Sequence, residues 1–110
     1  MDTKTAVRYL GALAQDSRLE VFRLLVQAGP EGLPAGEIAE RLEIPSSTLS
    51  FHVKSLEHAG LVEARQEGRF IYYTAVFEAM TSLIAFLGEN CCRGRSLPAS
   101  TPVRSRRTGA

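Results

Sequence analysis

A mainly α-helical domain carrying one two-stranded β-ribbon is the fold the sequence predicts, and three observations point to it. Apolar residues recur at helical spacing in five segments punctuated by Gly and Pro. One stretch, Leu61 to Ala75, is instead rich in β-formers and is broken by Glu67-Gly68, a two-residue turn signal. The chain has 110 residues, 45% hydrophobic and 23% charged, enough for one compact core and no second one. That size excludes two-domain enzymes.

The first helix, roughly Thr3 to Ala14, spaces Val7, Leu10, Leu13 and Ala14 at helical intervals. A second begins at Asp16 or Ser17, where Ser17 and Glu20 form a capping box, and carries Leu19, Phe22, Leu25 and Val26 to Gly29-Pro30. Pro34 stands near the start of a third, whose Ile38, Ala39 and Leu42 face inward before Glu43-Ile44-Pro45 stops it. The fourth follows at once: Ser46 or Ser47 caps it, Leu49, Val53 and Leu56 form its apolar stripe, and Gly60 supplies a left-handed exit. The ribbon pairs Leu61 to Gln66 with Arg69 to Ala75. The last helix, about Val76 to Asn90, sets Phe77, Met80, Leu83, Ile84 and Leu87 on a broad apolar face with Phe86 beside it. Such a face exceeds what a small core can cover, and it calls for a partner.

Helix, tight turn, helix and ribbon in that order make a winged helix-turn-helix, whose second paired helix enters the major groove of DNA. At 100° per residue from Leu49, the outward face of the fourth helix is Ser47, Thr48, Ser50, Phe51, Lys54 and Ser55, with Ser46 at its start. Small hydroxyls bond base edges or phosphates, Lys54 neutralises a phosphate, and Phe51 contacts a thymine methyl. No acid occurs from Ser46 to Ser55, whereas an ordinary solvated face would mix Glu with Lys. His52 falls about 60° from the core stripe, at the groove boundary, where it bonds backbone or phosphate, or else serves as a satisfied structural histidine. In the ribbon, Arg65 and Arg69 flank the turn and are placed to hold phosphate or enter the minor groove; solvated strand arginines are the alternative.

Charge is distributed unevenly. Residues 1–92 hold eight of the thirteen Lys and Arg and all twelve acids, whereas residues 93–110 hold five arginines and no acid. The sequence thus divides into a folded domain, 1–92, and a basic tail, 93–110, whose composition predicts disorder and either solubilises or adds attraction to phosphate. No apolar run approaches a membrane span, and the start Met1-Asp2-Thr3-Lys4 is unlike a secretory signal, so a cytoplasmic protein without membrane contact is expected. Cys91 and Cys92 are the only cysteines. Adjacent Cα atoms lie about 3.8 Å apart, below the usual disulfide range, so the thiols are expected free, and a soft thiophilic ion suits them better than a bond to each other. Arg93 and Arg95 are expected to favour the thiolate.

The stretch Leu33 to Tyr73, with Ser50-Phe51-His52-Val53-Lys54-Ser55-Leu56, Ala59-Gly60-Leu61-Val62 and Gly68-Arg69-Phe70-Ile71-Tyr72-Tyr73, resembles the ArsR/SmtB family of bacterial metal-responsive repressors. Leu13-Ala14-Gln15-Asp16-Ser17-Arg18-Leu19 is similar to that family's entry to its second helix, so the likeness spans residues 5 to 90. The resemblance implies a homodimer formed by the first and last helices that represses its own operon on double-stranded operator DNA and lets go when an inducer binds. A two-fold dimer would set two recognition helices on half-sites about one turn apart.

Two of the family's ligand locations are empty of ligands in this sequence. The third helix has no cysteine, and the last has no histidine to build a zinc site across the dimer. The vicinal pair Cys91-Cys92 resembles the C-terminal site of relatives that respond to trivalent arsenic, which makes trivalent arsenic, inorganic or methylated, the implied inducer. Arsenite is best held by three thiolates and this chain offers two. An outside thiol or water, a site shared across the dimer, or methylarsenite with its two exchangeable positions would meet that count; antimonite would cross-react, and little response to zinc is expected. A thiol redox sensor of the same fold is the alternative reading. A thiol enzyme is excluded by the absence of a Cys-x-x-Cys pair or a cysteine in a phosphate-cradling loop.

Overall fold

A computed structural model describes residues 1–94; the basic tail expected at 93–110 lies outside the described residues from 95 onward. The elements are α1 (Thr3–Leu13), α2 (Asp16–Ala28), β1 (Leu33–Pro34), α3 (Ala35–Leu42), α4 (Ser46–Ala59), β2 (Val62–Glu67), β3 (Phe70–Ala75), α5 (Phe77–Gly88) and a 3-10 turn, Cys91–Gly94. Helices α3 and α4 form the helix-turn-helix, and β2 and β3 form the wing.

Helix starts depend on side chains that accept from otherwise orphaned amides. Asp2 accepts from the Thr5 amide at 2.8 Å and opens α1. The amide oxygen of Gln15 accepts from the Arg18 N–H at 2.9 Å and opens α2. This corrects the expected capping box: Ser17 lies inside the helix, where its hydroxyl no longer faces the first free amides. Serine capping of α4 is corrected too. Its N-cap is Pro45, extended and without a side-chain cap, and the Leu49 N–H bonds the Pro45 carbonyl at 2.9 Å. Ser46 and Ser47 become the first helical residues.

The sheet has three antiparallel strands in the order β1-β3-β2, with Leu33 opposite Tyr73 and Val62 opposite Ala75. The short β1 was not expected. It docks because Gly32, at φ +72, brings the chain so close that a Cβ there would collide with the Tyr73 carbonyl and the Thr74 methyl. The hairpin loop is Gly68-Arg69, closed by Glu67 opposite Phe70, one residue later than the sequence suggested. Gly68 takes the positive φ of +62 that the first loop position of such a turn favours.

Leu25, Ile38, Leu49, Leu56, Leu61, Val21, Val53 and Val62 are the largest fully buried side chains, so the inward stripes of α2, α3 and α4 meet one another and the base of the wing. Helices α1 and α5 lie together at one edge, and each keeps apolar side chains in solvent: Val7 is 61% and Leu10 42% exposed on α1, Ile84 62% and Leu87 61% on α5. Among the described residues no helix is long and apolar enough to cross a membrane.

Candidate nucleic-acid interface and thiol pair

Ser46, Ser47, Thr48, Ser50, Phe51 and Lys54 are all exposed, on one side of α4. The first turn holds no acid, so the positive end of the helix dipole and the hydroxyls face the same solvent. Phe51 is 66% exposed and lines an open cleft with Lys54, Ser55, Glu57 and His58. The Ser55 hydroxyl is committed, donating to the Phe51 carbonyl at 3.1 Å. The remaining face offers hydroxyl donors and acceptors, one ammonium and one aromatic ring.

His52 is not part of that face. It is 7% exposed, which takes it off the groove edge and leaves the structural reading, and its Nδ1 is buried without a hydrogen-bond partner among the described residues. Its ring meets Phe51 edge-on, with centroids 5.8 Å apart. Burial, and then the positive charge of Arg18, lower its pKa from the ordinary 6.5. The neutral imidazole is favoured.

The two wing arginines differ. Arg65 donates through Nε to Glu67 at 2.7 Å and through a terminal nitrogen to the Glu31 carbonyl at 3.1 Å, and its guanidinium lies 5.3 Å from the Tyr72 ring centre. A phosphate there must compete with Glu67. Arg69 stands at the loop itself, exposed beside Phe70 and Ile71, which are 61% and 43% exposed.

Cys91 and Cys92 open the 3-10 turn that follows α5 after Glu89 and Asn90, so the helix ends two residues earlier than the sequence suggested. Asn90 and Cys92 take positive φ values of 58° and 55°, which turn the chain tightly about Cys91 and bring the two Sγ atoms to 3.5 Å. The pKa of the Cys91 thiol is raised, first by the hydrogen bond it shares with Cys92 and then by desolvation, the reverse of the expected shift toward thiolate. Among the described residues no group of three or more His, Cys, Asp or Glu is placed to hold a metal ion.

Sequence reasoning missed two side chains that tie the helices together. Arg8 donates through Nε to the Ala59 carbonyl at 3.1 Å, and Arg18 donates through Nε to the Ala12 carbonyl at 2.6 Å. The first joins residues 51 apart in sequence, so no local pattern announces it.

This fold, with a hydroxyl-rich helix face free of acids from Ser46 to Ser55 presented beside a wing, defines a winged helix-turn-helix transcriptional regulator rather than an enzyme. Residues 13–65 match the helix-turn-helix domain family. Over 88 residues the chain is 33% identical to the transcriptional activator HlyU of Vibrio cholerae, a match covering 80% of this chain and 79% of the relative. It is likewise 33% identical over 81 residues to the arsenical resistance operon repressor of Bacillus subtilis, covering 74% and 73%. The solution structure of the homodimeric winged helix-turn-helix DNA-binding domain Mb0332 of Mycobacterium bovis, a possible ArsR-family transcriptional regulator, superposes with a TM-score of 0.64 at 28% identity, covering 86% of this chain and 88% of that one. The chain belongs to the ArsR/SmtB family of transcriptional regulators. One of these relatives is an activator and another an arsenical repressor, so the signal this chain answers has to be argued from its own residues.

Proposed function

We propose that this chain is a cytoplasmic, homodimeric repressor that releases its operator when Cys91 and Cys92 capture a trivalent arsenical, with methylarsenite the best match, arsenite next and antimonite cross-reacting. Residues 1–92 form the DNA-binding and dimerisation domain, and the five arginines of 93–110 add non-specific attraction to phosphate. On DNA, Ser46, Ser47, Thr48, Ser50, Phe51 and Lys54 fill the major groove while Arg69, with Arg65 behind it, meets the backbone or the minor groove. The exposed Val7, Leu10, Ile84 and Leu87 meet their counterparts across the two-fold axis.

The observation that carries the inducer is the 3.5 Å separation of the two sulfurs. A thiophilic centre about 2.3 Å from each sulfur, the usual metal–thiolate length, would subtend an angle of about 100° between them, as a pyramidal three-coordinate centre does. Zinc wants four ligands in a tetrahedron, and the pair supplies half of them. Methylarsenite needs only two: two As–O bonds break, two As–S bonds form, and each thiol proton leaves with a hydroxide as water. The methyl group fills the third position. Because Cys91 and Cys92 follow the exposed end of α5 after only Glu89 and Asn90, capture there bears on the dimer contact. Release requires that the arsenical bind the DNA-free arrangement better than the DNA-bound one; a shift from 99:1 to 1:99 takes about 5.5 kcal/mol.

Replacing both cysteines by serine tests the reading. The variant is expected to bind operator DNA with unchanged affinity and to hold it at methylarsenite concentrations that strip the parent protein; loss of DNA binding in the variant would make the pair structural instead.

A further inference from the structure

One turn of α1 faces two ways. Val7 and Leu10 lie about 60° apart on the helix and point to solvent, while Arg8 and Tyr9, on the remaining arc, point to the C-terminal end of α4. Arg8 donates through Nε to the carbonyl of Ala59, the last residue of α4, at 3.1 Å. Carbonyls in that last turn have no partner within the helix, and the negative end of the helix dipole adds to the attraction for a cation. The next residue closes the clasp. Tyr9 lies against Gly60, the C-cap of α4, so near that a Cβ there would be 3.6 Å from the tyrosine ring. The Arg8 guanidinium is itself steadied 5.4 Å from the centre of the same ring. At the far end of α1, Arg18 holds the Ala12 carbonyl.

From this we propose that Arg8 is a positioning residue: it fixes the seat of the DNA-reading helix to the helix that meets the partner subunit, so that the spacing and tilt of α4 in the groove follow the dimer contact. Arg8 touches no DNA in this scheme. Its effect runs through the backbone carbonyl of Ala59, and it rests on the dimeric DNA-binding reading given above. A helix held only by its inward stripe can rock about that stripe; a charged hydrogen bond at its end removes that freedom.

The test compares the full-length protein with Arg8→Met, which keeps the length of the side chain and removes the donor, and with Arg8→Lys, which restores a cation. A duplex selected from a random pool by the parent protein serves as probe, and dimer fraction, thermal midpoint, duplex affinity and amide exchange at Gly60 and Leu61 are measured together. Arg8→Met is expected to weaken duplex binding by about fivefold or more, the lower end of ordinary couplings between sites, with the dimer fraction and midpoint unchanged and exchange at Gly60 and Leu61 faster. Arg8→Lys is expected to recover most of the affinity. Should Arg8→Met fail to fold, Arg8→Gln, with a shorter uncharged donor, is expected to show the same loss. A variant that binds the duplex as tightly as the parent, or loses affinity only in proportion to lost dimer, overturns the proposal. A parent protein that is monomeric or ignores every duplex overturns the reading beneath it as well.

Discussion

Arg18 lies near enough to the buried imidazole of His52 for its charge to oppose protonation there, and the burial of His52 opposes it more strongly still. The imidazole belongs to the DNA-reading helix but faces the interior, 7% exposed. The folded state therefore favours the neutral imidazole.

The folded-state pKa of His52 is below the ordinary 6.5 that the unfolded chain displays. The unfolded state then binds the extra proton first, so this residue's contribution to stability is fully present above about pH 6.5 and is lost as pH falls through the folded value. The thermal midpoint is expected to drop between pH 7.5 and pH 5.5, and His52→Leu should flatten that drop. An equal drop in His52→Leu would assign it to other groups.

Lys54 and Phe51 are predicted to fail in different ways. Lys54→Ala should weaken binding to all duplexes alike and reduce the slope of log affinity against log salt by about one unit per protomer, from a total of roughly −7 if a dimer neutralises ~8 phosphates. Phe51→Ala should keep the slope and relax preference at one operator position, read by competition among single-base variants. A sequence-selective loss for Lys54→Ala would contradict its phosphate role.

Ile84 is 62% exposed on α5 and has no role in the core. Ile84→Glu should leave the thermal midpoint of the isolated chain nearly unchanged while shifting sedimentation from dimer to monomer and weakening operator binding by well over tenfold, because each half-site would then be bound singly. A dimer that survives the substitution would place the subunit contact elsewhere.

Much of this architecture was legible because single residues announced it. Leu49, Val53 and Leu56 oriented α4 well enough to bring Ser47, Thr48, Ser50, Phe51 and Lys54 out on the side the structure exposes. The misses have physical causes. Gln15 replaces a shorter capping side chain, so the cap of α2 went unread although its start at Asp16 did not. The two-residue strand Leu33–Pro34 is held by the bare backbone of Gly32 against Tyr73, a contact across 40 residues that periodicity does not register. His52, about 60° from the stripe, sits at the angle where a helical wheel cannot separate groove from core, and tertiary packing buries it. The turn that carries the thiols has positive φ at Asn90 and Cys92, neither of them the glycine that normally marks such a bend, so its shape had no sequence signal.

The most direct test of the inducer claim follows fluorescence anisotropy of an operator duplex bound to the reduced dimer during parallel titrations with methylarsenite, arsenite, zinc and peroxide, with arsenic per chain counted by mass spectrometry. The account predicts release complete at one arsenic per chain with methylarsenite, weaker response to arsenite, none to zinc, and no release when Cys91 and Cys92 are both serine. Retention of the duplex at saturating methylarsenite, or release by peroxide alone, would contradict it.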